Sequence, residues 1–455
     1  MKRQQGWSLQ AFVRWSDAHP WFRAPAFRLA CLGVLAVIFV LLASIALLPG
    51  CEPRGSVRLT PQMEVDSQFW IRVLLASGVS ECTVELSTAF RVARADFGLG
   101  IEQGQPARDP LDGPTKVTLV RGRLQLGQTP LADSQVVISP GPPHVFGFNG
   151  QNYRGKLKLS VNRDGTAFDV LNLVPLEPYL AGVVGEEMPD YWEPQALRAQ
   201  AVAARTYCLY IKNRFGVNRS YDVSKTQASQ VYGGVAAESP QVWDAVNSTF
   251  GKILTTGPAQ AGRDARTDML SRGLFPAYFS SVCGGHTSNS QDVFGDSFGP
   301  LQGVPCPYCK DVARLGLFFW PMAQFSRKTV TDQLTARYPK LKALGEIREI
   351  AVADQVDYGQ FSRLTKIRLV GTTGKTDSLR AEDLRLAIDP SGRKLKSTIC
   401  RIVPWGDGWA FLSGRGWGHG VGMCQCGAEG MARQGSTAEE ILKHYYPGAQ
   451  IVSVY

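Results

Sequence analysis

The arrangement of apolar positions changes character twice along the chain. Between residues 68 and 174 they come in short β-branched runs: Phe69-Trp-Ile-Arg-Val-Leu-Leu75, Thr83-Val-Glu-Leu86, Lys116-Val-Thr-Leu-Val120 and Gln135-Val-Val-Ile138. Such runs predict strands. Lys156-Leu-Lys-Leu-Ser-Val161 and Ala167-Phe-Asp-Val-Leu171 flank Asp164-Gly165, a strong hairpin signal. From about Glu177 to Asn247 the spacing becomes helical. Trp192-Glu-Pro194 marks a start, and Ala196, Leu197, Ala201, Ala204 and Cys208 line one face of the helix that follows. After Trp320 strand patterns return, with Glu346 to Val352 and Thr365 to Val370 as a pair and Thr372-Thr-Gly374 as a turn. Ser436-Thr-Ala-Glu439 fits a capping box that opens a last helix on Ile441, Leu442 and Tyr445. The polar stretch from Gly257 to Gly273 reads as a surface loop. The whole predicts an α+β fold, with β-rich N-terminal and C-terminal parts around a mainly helical segment.

The first 51 residues stand apart. Leu29 to Leu48 carries no charge and would span about 30 Å as a helix, enough for a bilayer core. Lys2, Arg3, Arg14, Arg23 and Arg28 precede it against only Asp17, which orients the rest of the chain outward. The expectation is an N-terminal transmembrane helix in the cytoplasmic membrane, with the domain facing the cell wall or periplasm. Leu48-Pro-Gly-Cys51 also resembles a lipoprotein cleavage site, so a lipid-modified Cys51 is the rival reading. The division that follows is 1–51 lead and anchor, 52–67 linker, 68–174 β-rich domain, 175–325 central core, and 326–455 a β-rich part with a glycine loop.

Composition narrows the function only slightly. A net charge of +10, with no block of like charges, suits an anionic wall or membrane surface. No nucleic-acid module pattern accompanies it, so no nucleic acid is expected as a partner.

The densest chemistry lies in Val174 to Tyr207. Glu186 and Glu187 sit on a Met-Pro turn just ahead of a helix rich in small residues. Two readings stand: a proton-handling carboxylate with a like-charged neighbour, or acids decorating a helix entrance. Gln200 and Arg205 are polar groups that a packing helix does not need. Arg205 either orients a carboxylate or binds substrate oxygens, or it pairs with Glu193 or Asp190 at the surface. Far downstream, five glycines fall within nine residues at Gly414-Arg-Gly-Trp-Gly-His-Gly-Val-Gly422. They allow tight turns and close backbone approach to a ligand. Trp417 offers a stacking face, and Arg415 and His419 offer donors; a purely structural turn is the alternative.

Together these motifs resemble the stage II sporulation protein D family, which also includes amidase enhancers. The similarity covers about residues 68 to 455. It is densest at 174–234, at 276–310 (Ala277-Tyr-Phe-Ser-Ser-Val-Cys-Gly-Gly-His-Thr287) and at 413–448 (Ile441-Leu-Lys-His-Tyr-Tyr-Pro-Gly448). The resemblance implies a peptidoglycan lytic transglycosylase. It would cleave the MurNAc–GlcNAc β-1,4 bond and leave 1,6-anhydro-MurNAc ends, with Glu187 as the acid. It places Asp222, Gln230, Tyr232 and Gln425 at family positions, Gln230, Tyr232 and Gln425 as substrate contacts. The alternative it carries is a non-catalytic glycan-binding enhancer of a cell-wall amidase. The sequence departs from the family where Cys424-Gln425-Cys426-Gly427 replaces Ser-Gln-Tyr-Gly, and where Ser280 replaces a histidine.

The ten cysteines add a further expectation. Cys283-x2-His286 and Cys306-x2-Cys309 have the spacing of a structural zinc site, and the resemblance implies zinc near this segment in some relatives. Disulfides are the competing reading for a domain outside the cytoplasmic membrane.

Overall fold

The computed structural model describes residues 69–95, 106–257 and 273–455, all within one compact unit, Arg58–Tyr455. The uncharged run at 29–48, Cys51, the 52–67 linker and most of the 257–273 loop lie outside the described residues. Among the described residues no helix is long and apolar enough to cross a membrane.

Two six-stranded sheets occupy the N-terminal part. One runs in the order Val223–Ser224, Trp70–Val79, Phe168–Pro175, Lys156–Val161, Gln135–Pro140, Phe90–Arg94, antiparallel except where Val73 and Leu74 pair in parallel with Val223 and Ser224. The other runs Thr129–Pro130, Arg123–Leu126, Thr115–Val120, Glu81–Glu85, Val145–Phe148, Gln151–Arg154. The expected hairpin is present, with Val161 opposite Phe168 and Gly165 in the left-handed region at φ +70°. Phe168–Pro175 is the hinge of the architecture. It is buried almost throughout, as befits a strand flanked by strands on both edges, and it passes straight into a helix at Pro175.

That helix, α1 (Leu176–Glu187), is buried from Leu176 to Val184 and therefore runs inside the molecule. Helix α2 (Pro194–Phe215) begins with proline in its first turn, where no backbone N–H is needed. Its alanines leave room for close neighbours, and α1 and α3 (Pro240–Ser248) pack against it. Arg205 sits at this junction, wholly buried. Its guanidinium donates to both oxygens of Glu177 on α1, at 2.8 and 2.6 Å, and to the carbonyl of Lys252 at 3.0 Å. Tyr455, the last residue of the sequence, donates to the same carboxylate.

The C-terminal part has its own core. Helices α4 (Arg327–Arg337) and α5 (Ala381–Ile388) cover the three-stranded sheet Ile347–Asp357, Ser362–Gly371, Thr376–Arg380, burying Val330, Leu334, Ile347, Ile367, Leu369, Leu384 and Ile388. The Glu346–Val352 and Thr365–Val370 runs pair as expected. A second three-stranded sheet places Gly408–Leu412 between Ala323–Ser326 and Arg401–Trp405. Two more helices, α6 (Gln425–Arg433) and α7 (Ala438–Tyr445), return the chain to α2. The capping box falls one residue later than the sequence suggested, on Thr437 and Glu440. Ser436 is unavailable because its N–H closes the end of α6 on the Met431 carbonyl. The final strand, Gln450–Ser453, pairs with Lys252–Thr255. The fold is α+β, with short strands threaded through the helical segment.

Because Arg205 neutralises a buried carboxylate, Arg205→Ala is expected to destabilise the domain by about 3–5 kcal/mol. Denaturant unfolding checks this. Replacing both partners with apolar residues should recover part of the loss.

Candidate functional site

Glu186 and Glu187 are the last two residues of α1, with Met188 as its C-cap. This reverses the helix-entrance reading, because the carboxylates meet the negative end of the helix dipole, which favours the protonated form. Glu186 is exposed, whereas Glu187 is partly buried and faces a cleft of ≈ 640 Å³. Two donors hold its carboxylate: the Val231 N–H at 3.0 Å and the Gln425 amide at 3.2 Å. Burial raises the Glu187 pKa above the usual carboxylate value; the two hydrogen bonds oppose the shift, and the Glu186 charge adds to it. A carboxyl group in this state can give up a proton and later take one back.

Several expected substrate contacts prove to be the support behind this donor pair. Gln230 accepts from Tyr179 Oη at 3.1 Å and donates to the Ala204 carbonyl at 3.2 Å, inside the protein. Tyr232 is buried and donates to Asn172 at 2.9 Å. These contacts fix the loop 230–233 against α1, α2 and the central strand, and so aim the Val231 N–H. Asp222 is also internal, accepting from Arg72 and Lys212. Gln200 is fully buried, and neither Gln200 nor Arg205 lines the cleft. The rival surface pairing of Arg205 is equally absent, since its partner is Glu177.

The glycine loop forms the opposite wall, and its close approaches are to the protein itself. A Cβ on Gly420 would lie 2.6 Å from the buried Arg363 guanidinium, and one on Gly422 would lie 1.9 Å from the Tyr278 carbonyl. Both glycines have positive φ. Backbone bonds from Trp417 to Val282, Ser288 to Gly420 and Met423 to Tyr278 lace the loop to the 277–288 segment. Trp417, His419 and Gln425 line the cleft. His419 is held neutral, however. Burial lowers its pKa to about 4, and its Nδ1 accepts from the Val421 N–H. Arg415 lies off the cleft, donating to the Gly284 carbonyl and covering Phe361 at 4.3 Å.

Four cleft aromatics carried no role in the sequence reading: Tyr207, Tyr278, Phe279 and Phe294. The two tyrosines lie within the quoted motifs, which was the available signal. Tyr207 is neutral, since burial pushes its phenol up to about 12. Glu382 also lines the cleft, tied to Arg385 at 2.6 and 2.9 Å.

Beside the loop four buried thiols converge: Cys283, Cys306, Cys309 and Cys424, with all four Sγ atoms within 4.8 Å of one another. All four are free cysteines rather than disulfides. Cys283 and Cys309 stand 3.8 Å apart, close to the ~3.8 Å edge of a tetrahedron with ~2.3 Å metal–sulfur bonds. Cys424 occupies the corner expected for His286. The His286 ring lies outside the group, stacked 4.2 Å from Tyr358 with Nδ1 against the Thr287 carbonyl at 2.6 Å. Spacing alone does not find Cys424 because it lies more than a hundred residues downstream of the other three; its signal is the Cys-Gln-Cys departure in the glycine loop.

The family model described as stage II sporulation protein matches residues 164–256, from the hairpin through α3. The chain is 32% identical over 307 residues to an uncharacterized protein of Brachyspira hyodysenteriae, covering 68% of this chain and 74% of that one. It is 30% identical over 302 residues to stage II sporulation protein D of Bacillus subtilis, covering 63% of this chain and 77% of that one. An amidase enhancer of the same organism is 28% identical over 383 residues, 75% of this chain and half of that longer protein. The chain belongs to the stage II sporulation protein D family.

The raised Glu187 pKa has a thermodynamic signature. The native state binds its proton more tightly than the unfolded chain does, so its contribution is present at low pH and is lost as pH rises through the folded pKa. The unfolding free energy of wild type minus that of Glu187→Gln is therefore expected to fall as pH increases through that range. Chemical denaturation of both proteins across a pH series measures it.

Proposed function

We propose that the protein is a peptidoglycan lytic transglycosylase, held at the cytoplasmic membrane by its N-terminal segment and acting on glycan strands of the wall. The observation that carries this reading is the inventory of acids in the cleft. Among the described residues lining it, Glu187 is the one partly buried carboxyl group free of a cationic partner; Glu186 is exposed beside it and Glu382 is neutralised by Arg385. A hydrolase of the usual kind needs a second carboxylate placed across the scissile bond. A lytic enzyme does not.

The reaction uses Glu187 twice. Its protonated carboxyl donates to the bridging oxygen as the C1–O4 bond breaks and the GlcNAc hydroxyl leaves. The resulting carboxylate accepts the proton of the muramyl C6 hydroxyl as O6 bonds to C1, closing the 1,6-anhydro ring. No water is consumed and Glu187 ends protonated. Tyr207, Tyr278, Phe294 and Trp417 supply apolar faces for the sugar rings. Zinc belongs to the same proposal as a structural ion held by Cys283, Cys306, Cys309 and Cys424, cross-linking the glycine loop to the 283–309 segment.

The kinship to an amidase enhancer supports a second reading, in which the cleft binds glycan without cutting it and raises the activity of a cell-wall amidase.

Glu187→Gln keeps the side-chain size but cannot carry the proton, so glycan cleavage should fall about 10²-fold or more with little effect on folding. Mass spectrometry of wild-type digests should show 1,6-anhydro ends. Reducing muramic acid ends would mean water is the nucleophile. Absence of cleavage, with stimulation of an amidase that Glu187→Gln retains, would favour the enhancer. Metal analysis of untagged protein should give about one zinc per chain.

A further inference from the structure

We propose that the four-cysteine centre positions Glu187: by holding Cys424 it fixes the next residue, Gln425, whose amide aims the carboxylate into the cleft. The inference rests on the zinc assignment above but not on the lytic reaction.

The argument is one of adjacency. Cys424 is the N-cap of α6 and Gln425 its first residue. From these neighbours two side chains reach in different directions. Cys424 Sγ joins the thiol group and accepts the Cys283 N–H at 3.2 Å. Gln425 Nε2 donates to Glu187 Oε2 at 3.2 Å, and Gln425 is almost wholly buried. The first turn of α6 has a second seat on the same centre, since a Cβ at Gly427 would lie 2.5 Å from Cys306 Sγ. A cation bound by four thiolates pins both points. Without it the buried thiolates repel one another or take up protons, and Cys424 loses its metal tether to Cys306 and Cys309, keeping only the Cys283 N–H contact and the strand pairing beside Ser280.

Glu187 reports on that tether. From its own helix it faces Glu186 and Tyr179, and from α2 it faces Tyr207. The Glu382–Arg385 pair and neutral His419 line the same cleft. The Val231 N–H and the Gln425 amide are the two hydrogen bonds that stabilise its charged form. Loss of the Gln425 bond therefore raises its pKa.

The test uses the full chain labelled with ¹³C at glutamate carboxyls, the Glu187 signal being assigned by its loss in Glu187→Gln. Its titration is followed by NMR in loaded protein, in protein stripped of zinc by a chelator under reducing conditions, and in loaded Gln425→Ala. Stripping and Gln425→Ala should raise the Glu187 pKa equally, and stripping Gln425→Ala should move it no further. A stripped, folded protein with an unmoved Glu187, or a shift that adds to that of Gln425→Ala, overturns the proposal. If stripping unfolds the chain, Cys424→Ser replaces it, leaving three thiols for the metal and removing only the tether. An unmoved Glu187 in that variant overturns the proposal as well. Wild-type protein that binds no metal overturns both this inference and the zinc assignment. The expected shifts in a protein that cuts no glycan support this inference and overturn the lytic reading alone.

Discussion

Glu187 is held where electrostatics disfavours its charge. It ends a helix whose dipole is negative there, it is partly withdrawn from water, and Glu186 stands beside it. Left alone, such a side chain would swing toward solvent, where its charge is better hydrated. Two donors prevent that, and they come from opposite parts of the chain. Val231 lies 44 residues downstream and Gln425 lies 238 residues downstream. Much of the architecture can be understood as the means of bringing those two donors to one carboxyl group.

The Val231 arm is built from the residues that first looked like substrate contacts. Phe168–Pro175 runs into α1 without a loop, so the central strand sets the position of the helix that carries Glu187. Asn172 on that strand takes the Tyr232 hydroxyl, and Gln230 bridges Tyr179 on α1 to the Ala204 carbonyl on α2. Arg205 and Glu177 lock α2 to α1 from within. A polar side chain in an Ala-rich helix is thus explained by a buried ion pair rather than by a ligand. Removing one member leaves an uncompensated charge inside the protein.

How far the sequence revealed this depends on the range of the interaction. The hairpin at Asp164-Gly165, the Pro194 helix start and the pairing of the 346–352 and 365–370 runs were legible because turn chemistry and periodicity act locally. The capping box slipped by one residue because Ser436 and Thr437 both precede an acid by three, and only the backbone at Met431 decides between them. The inward direction of Arg205, Gln230 and Tyr232 had no local signal, since helical spacing does not distinguish a cleft wall from a neighbouring helix. The Val231 N–H, as a backbone donor, left no mark in the residue types. His286 and Cys424 show the same limit: a two-residue spacing makes the histidine look like a ligand, but the chain turns it onto Tyr358 and brings Cys424 in from the other end.

The glycine loop explains why Cys424 can arrive there. Positive φ at Gly416, Gly418, Gly420 and Gly422 folds the loop tightly onto the 277–288 segment, and the space a side chain would need is already taken by Arg363 and the Tyr278 carbonyl. That packing delivers Met423 and Cys424 as a short strand parallel to Phe279–Ser280, with the thiol group at its end. Two cysteines, Cys424 and Cys426, flank the glutamine here. One of them joins three distant thiols while the glutamine between them reaches Glu187. The backbone that presents the Gln425 amide to Glu187 is therefore the same backbone that presents Cys424 to the other three thiols.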